Sequence, residues 1–148
     1  MIIREATKDD IPQMQWVRNS VKENMLSNPA LVPDEDVLHY ITKRGKGWVS
    51  NDGERITGFA IADLEGHSIW ALFILPEYEG QGLGKQLHDT MLNWYFSNTH
   101  ETVWLSTAEH TRAEIFYKKC GWVNVGRKND IEIKFEMNYI GWQKMQGQ

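Results

Sequence analysis

Apolar residues along the chain recur with two different periods, and these periods predict where helices and strands lie. Ile11, Met14 and Val17 follow a helical spacing, which predicts a helix over residues 8–24. The segment Thr7–Asp10 precedes them with a threonine and, three positions later, a carboxylate. This arrangement is a variant of the capping box, so the helix is expected to begin there.

Three further helices are indicated by the same spacing and by capping residues. Asp34 is expected to cap a short helix that runs to Ile41, after two prolines have broken the chain. A longer helix with one apolar stripe is predicted over about residues 83–96. The capping box Thr111–Glu114 opens the last helix, and Gly121 stands in the C′ position that ends it.

Short apolar runs between the helical segments predict the strands. Ser68–Leu75 is almost continuously apolar, which is typical of a strand buried on both faces at the centre of a sheet. Asn51–Glu54 is a hairpin turn signal between two of the runs. Strands before, between and after helices favour an α/β or α+β sheet of about seven strands with helices on both faces. The predicted strands are residues 2–6, 48–50, 56–63, 68–75, 102–107, 122–126 and 131–139.

The length and composition of the chain predict one domain. Its 148 residues, of which 41% are hydrophobic and 24% charged, fit a single globular domain. We place this domain at residues 1–140 and expect residues 141–148 to form a polar, frayed tail. The first residues lack the basic and apolar regions of a signal peptide, and no apolar run is long enough for a transmembrane helix. The expected location is therefore cytoplasmic, without a membrane partner.

Charge and cysteine content exclude several classes of function. The formal net charge is −4 and the lysines and arginines are scattered, which argues against a nucleic-acid binder, because such proteins carry a basic patch. Cys120 is the only cysteine, so neither an internal disulfide nor a cysteine-based zinc cluster is expected. No metal is predicted, since no paired metal-ligand spacing occurs among His39, His67, His88, His100 and His110.

The candidate chemistry lies in Pro76–Lys85, where an apolar strand runs into three closely spaced glycines and a helix begins at once. Glycine lets the backbone approach a ligand closely, and the first N–H groups of a helix lack intrahelical partners at its positive end. Phosphate is the natural occupant of such a turn. A P-loop is excluded because Gln86 stands where a hydroxyl residue would bind magnesium. The glycine spacing and the earlier strands exclude a dinucleotide fingerprint.

Two segments together resemble the GNAT acetyltransferase family. Ile69–Gly84 is similar to its acetyl-CoA-binding motif, in which an apolar strand and a proline precede Arg/Gln-x-x-Gly-x-Gly/Ala and a long helix. Thr111–Trp122 is similar to its Ala-x-x-Phe-Tyr-x-x-x-Gly-Phe ending, and Ile3–Thr7 resembles its first strand and helix cap. The resemblance covers nearly the whole chain. It implies the GNAT fold, a single mixed and mostly antiparallel sheet of about seven strands with helices on both faces.

Three positions depart from the family pattern. Glu79 stands where the family usually has Arg or Gln, which places an acid near the expected pyrophosphate site. His110, three residues before Ala113, stands where many members have Asn, and Trp122 replaces the usual Phe. The glycines and the main-chain donors are retained, so we expect cofactor binding to be retained.

The resemblance also implies roles for individual residues. Main-chain groups of Leu72 and Ile74 would pair with the pantetheine amides of the cofactor. Tyr117 would donate a proton or a hydrogen bond to the thiolate that leaves after an amine attacks the thioester. Ser106 and Thr107, at the end of the fifth strand, would lie close to the cofactor. With the donors expected around the pyrophosphate, the cofactor-binding set is Leu72, Ile74, Gln81, Gly82, Leu83, Gly84, Lys85, Ser106 and His110.

The general base and the acceptor groove are defined less closely. Asp63, Glu65 and His110 are candidates for the base, and a chain of water molecules is the alternative. The base would remove a proton from the ammonium group before attack. By resemblance, the groove is bordered by Asn24, Leu26 and the Pro29–Pro33 loop.

The function implied by the resemblance is an acyl-CoA-dependent N-acetyltransferase, in which an amine attacks acetyl-CoA directly in a ternary complex. We expect a small-molecule amine, because the net charge of −4 favours the approach of cations. The alternative function is a non-catalytic, coenzyme A-binding regulatory module on the same fold. A homodimer is among the oligomeric states left open. Four acidic residues near the expected groove have two possible roles. They would bind the ammonium group of the acceptor, or they would only cap and solvate a surface helix. These residues are Glu23, Asp34, Glu35 and Asp36.

Overall fold

The computed structural model describes residues 1–21 and 32–147. The chain divides into two compact units, Met1–Tyr95 and Phe96–Gln148. Each unit combines antiparallel strands with helices. The prediction that the chain forms one domain over residues 1–140 stays a prediction.

Four antiparallel strands form the sheet of the first unit, in the order β1-β2-β3-β4. The predicted turn at Asn51–Glu54 is confirmed, since it joins the second strand to the third and the Asn51 Oδ1 accepts a hydrogen bond of 2.7 Å from the Gly53 N–H. Such local side-chain bonds are the reason that Asn and Asp favour turns. The strands are β1 (Ile2–Glu5), β2 (Gly45–Asn51), β3 (Ile56–Asp63) and β4 (Ser68–Ile74).

The first helix, α1 (Ile11–Ser20), follows a 3₁₀ turn at Lys8–Asp10. The predicted cap is present, because the Thr7 N–H donates to the Asp10 carboxylate at 2.8 Å. The predicted end at residue 24 is wrong, since Val21 is already extended at φ −88° and ψ 111°. Residues 22–24 lie outside the described residues.

The second helix, α2 (Asp34–His39), continues into a π-helical turn at Tyr40–Arg44. The sequence had predicted Asp34 as the N-cap of this helix. This prediction is wrong, because the N-cap residue is Pro33. Pro33 is extended at ψ 155°, and a proline before the first helical residue sets the entry direction of the chain. Asp34 therefore occupies the first turn, where a carboxylate favours the positive end of the helix. The third helix, α3 (Leu83–Asn98), contains the last residues of the first unit.

Strand β3 is buried at every position, whereas β4 is only partly buried. This distribution corrects the prediction that the residue 68–75 run is buried on both faces. A bulge interrupts the β3–β4 ladder, because Ile61 pairs with Ala71 and Ala62 pairs with Ile69. The extra residue in β4 is Trp70, and a bulge of this kind turns a side chain in a new direction. The half-buried residues of β4 are Trp70, Leu72, Phe73 and Ile74.

The second unit contains three antiparallel strands in the order β5-β7-β6. They are β5 (Val103–Ala108), β6 (Val123–Arg127) and β7 (Glu132–Met137). Helix α4 (Arg112–Lys119) begins as predicted, because the Thr111 hydroxyl accepts from the Glu114 N–H at 3.4 Å. The predicted end of this helix is also confirmed, with Gly121 in the left-handed region at φ 96°.

A fifth helix, α5 (Tyr139–Gln146), replaces the frayed tail that the sequence had predicted from Gly141. The Asn138 Oδ1 caps it by accepting from the Gly141 N–H at 2.7 Å. Trp142 is buried, and its ring lies 6.3 Å from that of Phe96 in a stacked arrangement. The Tyr139 ring adds to this packing, at 5.7 Å from Phe96 and stacked at 3.8 Å on His100. Aromatic contacts thus hold an otherwise polar helix against the unit.

No helix in residues 1–21 and 32–147 is both long and apolar enough to span a membrane.

The packing of α5 can be tested with two substitutions on the same helix. Trp142→Ala removes a buried ring and is expected to lower the free energy of unfolding by about 3–5 kcal/mol. Ile140→Ala is the matched control, because Ile140 is 63% exposed and its loss should change stability by less than about 0.5 kcal/mol. Denaturant unfolding measures both values. Equal, small effects would show that α5 is not packed.

Candidate functional site

The glycine turn before α3 has the backbone conformation that the sequence predicted for an anion site. Gly80 and Gly82 lie in the left-handed region at φ 77° and 81°. A Cβ atom added at either position would meet no described atom within 4 Å, so the backbone conformation, and not crowding within the protein, favours glycine here. The first helical hydrogen bond runs from the Gln86 N–H to the Gly82 carbonyl at 3.2 Å.

The same turn leaves its main chain open to a ligand. Gln81 and Gly82 are exposed, while Leu83 is buried and fixes the start of α3. The N–H groups of a first helical turn have no carbonyl partners within the helix, and in a helix of 16 residues they lie at the positive end of the dipole. The open cradle therefore fits a pyrophosphate group held by main-chain donors.

The charges on α3 favour main-chain binding over side-chain binding. The Lys85 Nζ lies 2.7 Å from the Asp89 Oδ2, one helical turn further on. His88 is buried and its Nδ1 lies 2.9 Å from the Asp89 Oδ1. Partial burial raises the pKa of Asp89, but the hydrogen bonds with His88 and Lys85 outweigh it, so that the pKa is lowered. Lys85 thus carries a paired charge, and Glu79 is exposed.

Strand β4 leads directly into this turn and presents apolar residues that are not fully covered. Leu72 and Ile74, the residues expected to pair with pantetheine, are both half-buried. The Trp70 ring stacks on the Tyr40 ring with 3.9 Å between centroids. An apolar surface with a few polar groups nearby is typical of a small-molecule site.

Sequence reasoning missed a buried arginine of α1 that packs against the rings of this strand. Arg18 of α1 is 7% exposed, and its guanidinium carbon lies 5.1 Å from the centroid of Trp70 and 5.2 Å from that of Phe73. Burial lowers the pKa of Arg18 to about 10. The helical spacing did not indicate that Arg18 is buried. Arg18 follows Val17 of the apolar face, and a charged residue at this position is expected at the edge of that face.

In the second unit, Tyr117 is a buried aromatic side chain of α4. Its ring makes edge contacts with Phe116 at 5.3 Å and with Trp122 at 5.7 Å, and it packs on Phe135 at 6.3 Å. Burial raises the pKa of the phenol, with a smaller contribution from Cys120. The hydroxyl is therefore protonated across the neutral range, as a proton donor must be.

The remaining predicted residues of the second unit lie at the end of β5 and before α4. The Ser106 hydroxyl donates to the Glu132 Oε2 at 3.3 Å, and Thr107 is buried. His110 is in the left-handed region at φ 66°, and its side chain is 85% exposed. A left-handed residue other than glycine is uncommon and often marks a functional position.

The three candidates for the general base have different surroundings. Both oxygens of the buried Asp63 accept from Arg44, at 3.0 Å from Nε and 2.8 Å from Nη2, which gives this carboxylate a structural role. Glu65 is exposed, with Arg44 3.8 Å away. His110 is exposed, and its Nε2 lies 3.8 Å from the Glu109 Oε1. The exposed groups are therefore better placed to exchange a proton with solvent, and the assignment of a base stays a prediction.

Part of the predicted acceptor groove lies outside the described residues, including Glu23, Asn24, Leu26 and the loop up to residue 31. The described acids Asp34, Glu35 and Asp36 form the first turn of α2 and are exposed. The Asp34 Oδ1 accepts from the Gln15 Nε2 at 3.3 Å. Their position at the positive end of a helix favours the structural interpretation of these three acids.

Residues 1–21 and 32–147 hold no group of three or more His, Cys, Asp or Glu side chains that could bind a metal ion. The expectation that the protein uses no metal stays a prediction.

Comparisons with known proteins agree with this geometry. The model of the acetyltransferase (GNAT) family matches residues 11–122. A ribosomal protein bS18-alanine N-acetyltransferase of Haemophilus influenzae is 33% identical over 85 residues, which are 56% of this chain and 54% of that relative. The match therefore spans about half of the relative. The peptidyl-lysine N-acetyltransferase YjaB of Salmonella typhimurium is 31% identical over 117 residues, which are 76% of this chain and 74% of that protein.

Solved structures share the fold. The PaiA N-acetyltransferase of Thermoplasma acidophilum, solved in complex with coenzyme A, gives a TM-score of 0.79 at 15% identity. The match covers 93% of this chain and 98% of that structure. The fold class predicted from the sequence is thereby confirmed.

Coenzyme A binding at the glycine turn can be tested through stability. At a concentration one hundred times its Kd, the ligand should raise the free energy of unfolding by about 2.7 kcal/mol. Gly82→Val should abolish this increase, since a side chain blocks close approach of the backbone.

Gly126→Val is the matched control. Gly126 has φ 124° and equally open surroundings, but it lies in β6. This variant should lose stability through backbone strain and keep the full response to coenzyme A. Thermal unfolding with and without the ligand measures both effects, and an unchanged response in Gly82→Val would reject this turn as the binding site.

Proposed function

Because the chain belongs to the GNAT acetyltransferase family, we propose that it transfers an acetyl group from acetyl-CoA to an amine by direct attack in a ternary complex. Acetyl-CoA is the acetyl donor of this family. The observation that carries the proposal is the glycine turn, in which two exposed, left-handed glycines directly precede the start of α3. A half-buried apolar strand leads into it.

The residues of the first unit bind the donor in this proposal. Main-chain N–H groups of residues 81–85 hold the pyrophosphate, because a helix N-terminus stabilises negative charge. Main-chain groups of Leu72 and Ile74 pair with the pantetheine amides, as an added strand would. Half-burial of both residues leaves their strand accessible to such a ligand. Ser106 and His110 complete the proposed cofactor-binding set.

Tyr117 is the proposed hydrogen-bond donor to the leaving group. The amine nitrogen forms a bond to the thioester carbonyl carbon, the carbon–sulfur bond breaks, and the departing thiolate needs a proton or a hydrogen bond. A phenol whose pKa is raised by burial stays protonated, so it can donate a hydrogen bond to the leaving sulfur. The thiolate is a weaker base than the phenolate and takes its proton from solvent after it leaves. The proton that the amine loses goes to solvent, to Glu65 or to His110, which are the exposed candidates.

The acceptor proposed here is a small-molecule amine. The two curated relatives are described as acting on an alanine of ribosomal protein bS18 and on peptidyl-lysine, so a protein amine is the competing acceptor. The net charge of −4 favours the approach of a cation. The expected cytoplasmic location stays a prediction.

Tyr117→Phe separates catalysis from a regulatory role. Removing the hydroxyl should lower kcat for acetyl transfer to the best acceptor of an amine panel by about 10²–10⁴-fold, while the Kd for coenzyme A stays nearly constant. Tyr139→Phe is the matched control, because the Tyr139 hydroxyl accepts from the Gln143 side chain on an exposed helix surface. Release of free thiol measures the rate.

Two results would contradict this account of the chemistry. A kcat for Tyr117→Phe within about threefold of wild type, with chemistry rate-limiting, would make Tyr117 a packing residue. Tight coenzyme A binding without turnover of any small amine, peptide or protein would favour the non-catalytic regulatory module.

A further inference from the structure

The most unusual charged group in the described part of the chain is Arg18. It lies on the inner face of α1 with only 7% of its surface exposed. Its guanidinium carbon is 5.1 Å from the ring of Trp70, 5.2 Å from that of Phe73 and 5.8 Å from that of Phe59. Three aromatic rings of β3 and β4 thus surround one buried cation.

Aromatic rings offset part of the cost of burying this charge, but they do not satisfy its donors. The Nε and Nη2 atoms are both buried and have no hydrogen-bond acceptor among the described residues. Buried charges in proteins are almost always paired or hydrogen-bonded. Burial lowers the pKa of Arg18 only to about 10, so the group is positively charged at neutral pH. A buried, charged donor pair of this kind requires an anion for full stabilisation.

The two donors define the shape of that anion. Nε and Nη2 lie on one edge of the guanidinium group, and this edge binds planar carboxylates in a bidentate manner. The first unit contains an example, because Arg44 holds Asp63 through the same two nitrogen atoms at 3.0 and 2.8 Å. Arg18 presents the same edge without a carboxylate from the described residues. The chemistry of the edge therefore fits a carboxylate supplied by a ligand.

The position of Arg18 connects this edge with the proposed reaction. Trp70 and Phe73, the two rings nearest to its head group, flank Leu72 on β4. Leu72 and Ile74 belong to the stretch that would hold pantetheine. The bulge at Trp70 brings an additional side chain to this part of the strand. A ligand carboxylate at Arg18 would lie beside the same stretch, within the first unit.

We propose that Arg18 binds a carboxylate of the acceptor, and that the acceptor is an amino acid or a similar small amine with a carboxylate and an apolar or aromatic body. This inference rests on the proposed acetyl transfer and names its substrate class. The aromatic rings around Arg18 pack the apolar body, and the guanidinium edge orients the carboxylate so that the amine points to the donor. Nε and Nη2 are screened from solvent in the protein without ligand, so the proposal includes a movement of the guanidinium group toward the ligand on binding.

Matched acceptors test the proposal in the wild-type protein without any substitution. Phenylalanine, tyrosine and leucine are compared with two analogues each. The decarboxylated amines lack the carboxylate altogether, and the methyl esters keep a group of similar size without the negative charge. The wild type should prefer the free amino acid by about 10- to 100-fold in kcat/KM, the range of a bidentate charge-assisted pair. Equal kcat/KM within these sets would overturn the proposal.

Substitutions at Arg18 then assign the preference to one side chain. Arg18→Gln and Arg18→Lys should remove most of the preference for the free amino acid over its decarboxylated amine, chiefly by raising KM for the amino acids. Lysine keeps the positive charge but cannot bind a carboxylate in the bidentate manner of a guanidinium group. Arg55→Lys is the matched control, because Arg55 also lies over two aromatic rings but its side chain is 40% exposed. It should leave the preference unchanged.

The remaining outcomes separate this inference from the proposed function. An equal loss of turnover for all acceptors in both Arg18 variants, with a lowered Tm, would make Arg18 a packing residue and overturn the proposal. Turnover of peptides alone would also overturn it, while the acetyl transfer itself would stand. If no acceptor releases thiol, the proposed function fails. Calorimetric titration of phenylalanine into wild type and Arg18→Lys then decides the carboxylate site, where loss of binding in the variant supports it and equal or undetectable binding rejects it.

Discussion

The complete burial of strand β3 is the constraint on which the first unit depends. All eight of its positions are buried, so both of its faces need cover and every polar group on it needs a partner. Helix α1 covers one face through a cluster that includes Ile11, Met14 and Val17. The Thr57 hydroxyl is within 2.9 Å of the Ser50 hydroxyl. At the other end of the strand, the Asp63 carboxylate is held by the Arg44 fork.

This constraint also determines what is left for function. With β3 taking the fully buried position, its neighbour β4 keeps four half-buried apolar residues, which is costly unless a ligand covers them. The same strand leads, through Pro76 and two exposed, left-handed glycines, into the start of α3. An apolar strand and an anion-binding turn therefore follow each other along the chain. These are the two chemistries that a long, partly apolar and partly phosphorylated cofactor requires.

The features that the sequence predicted well are those set by local chemistry. Asn51–Glu54 forms its hairpin turn, Thr111 caps α4 and Gly121 ends it, because each depends on a few adjacent residues. The glycine turn was predictable for the same reason.

The features that were predicted wrongly depend on contacts between distant parts of the chain. The polarity of the last residues concealed α5, whose rings Trp142 and Tyr139 pack against Phe96. The apolar content of β4 could not show that β3 would be the more buried strand. Arg18 gave no signal, because a charge at the edge of an apolar helical face is ordinary until its surroundings are known. Its unpaired donors among the described residues are visible only in three dimensions.

The central claim is that this chain moves an acetyl group from acetyl-CoA to an amine. The most direct test is the stoichiometry of one reaction, in which the acetylated acceptor is counted by mass spectrometry and free coenzyme A thiol is counted in the same sample. The account predicts one acetylated amine for each thiol released, with release that stops when the acceptor is left out. Thiol released at the same rate without an acceptor, or with no acetylated amine, would contradict it.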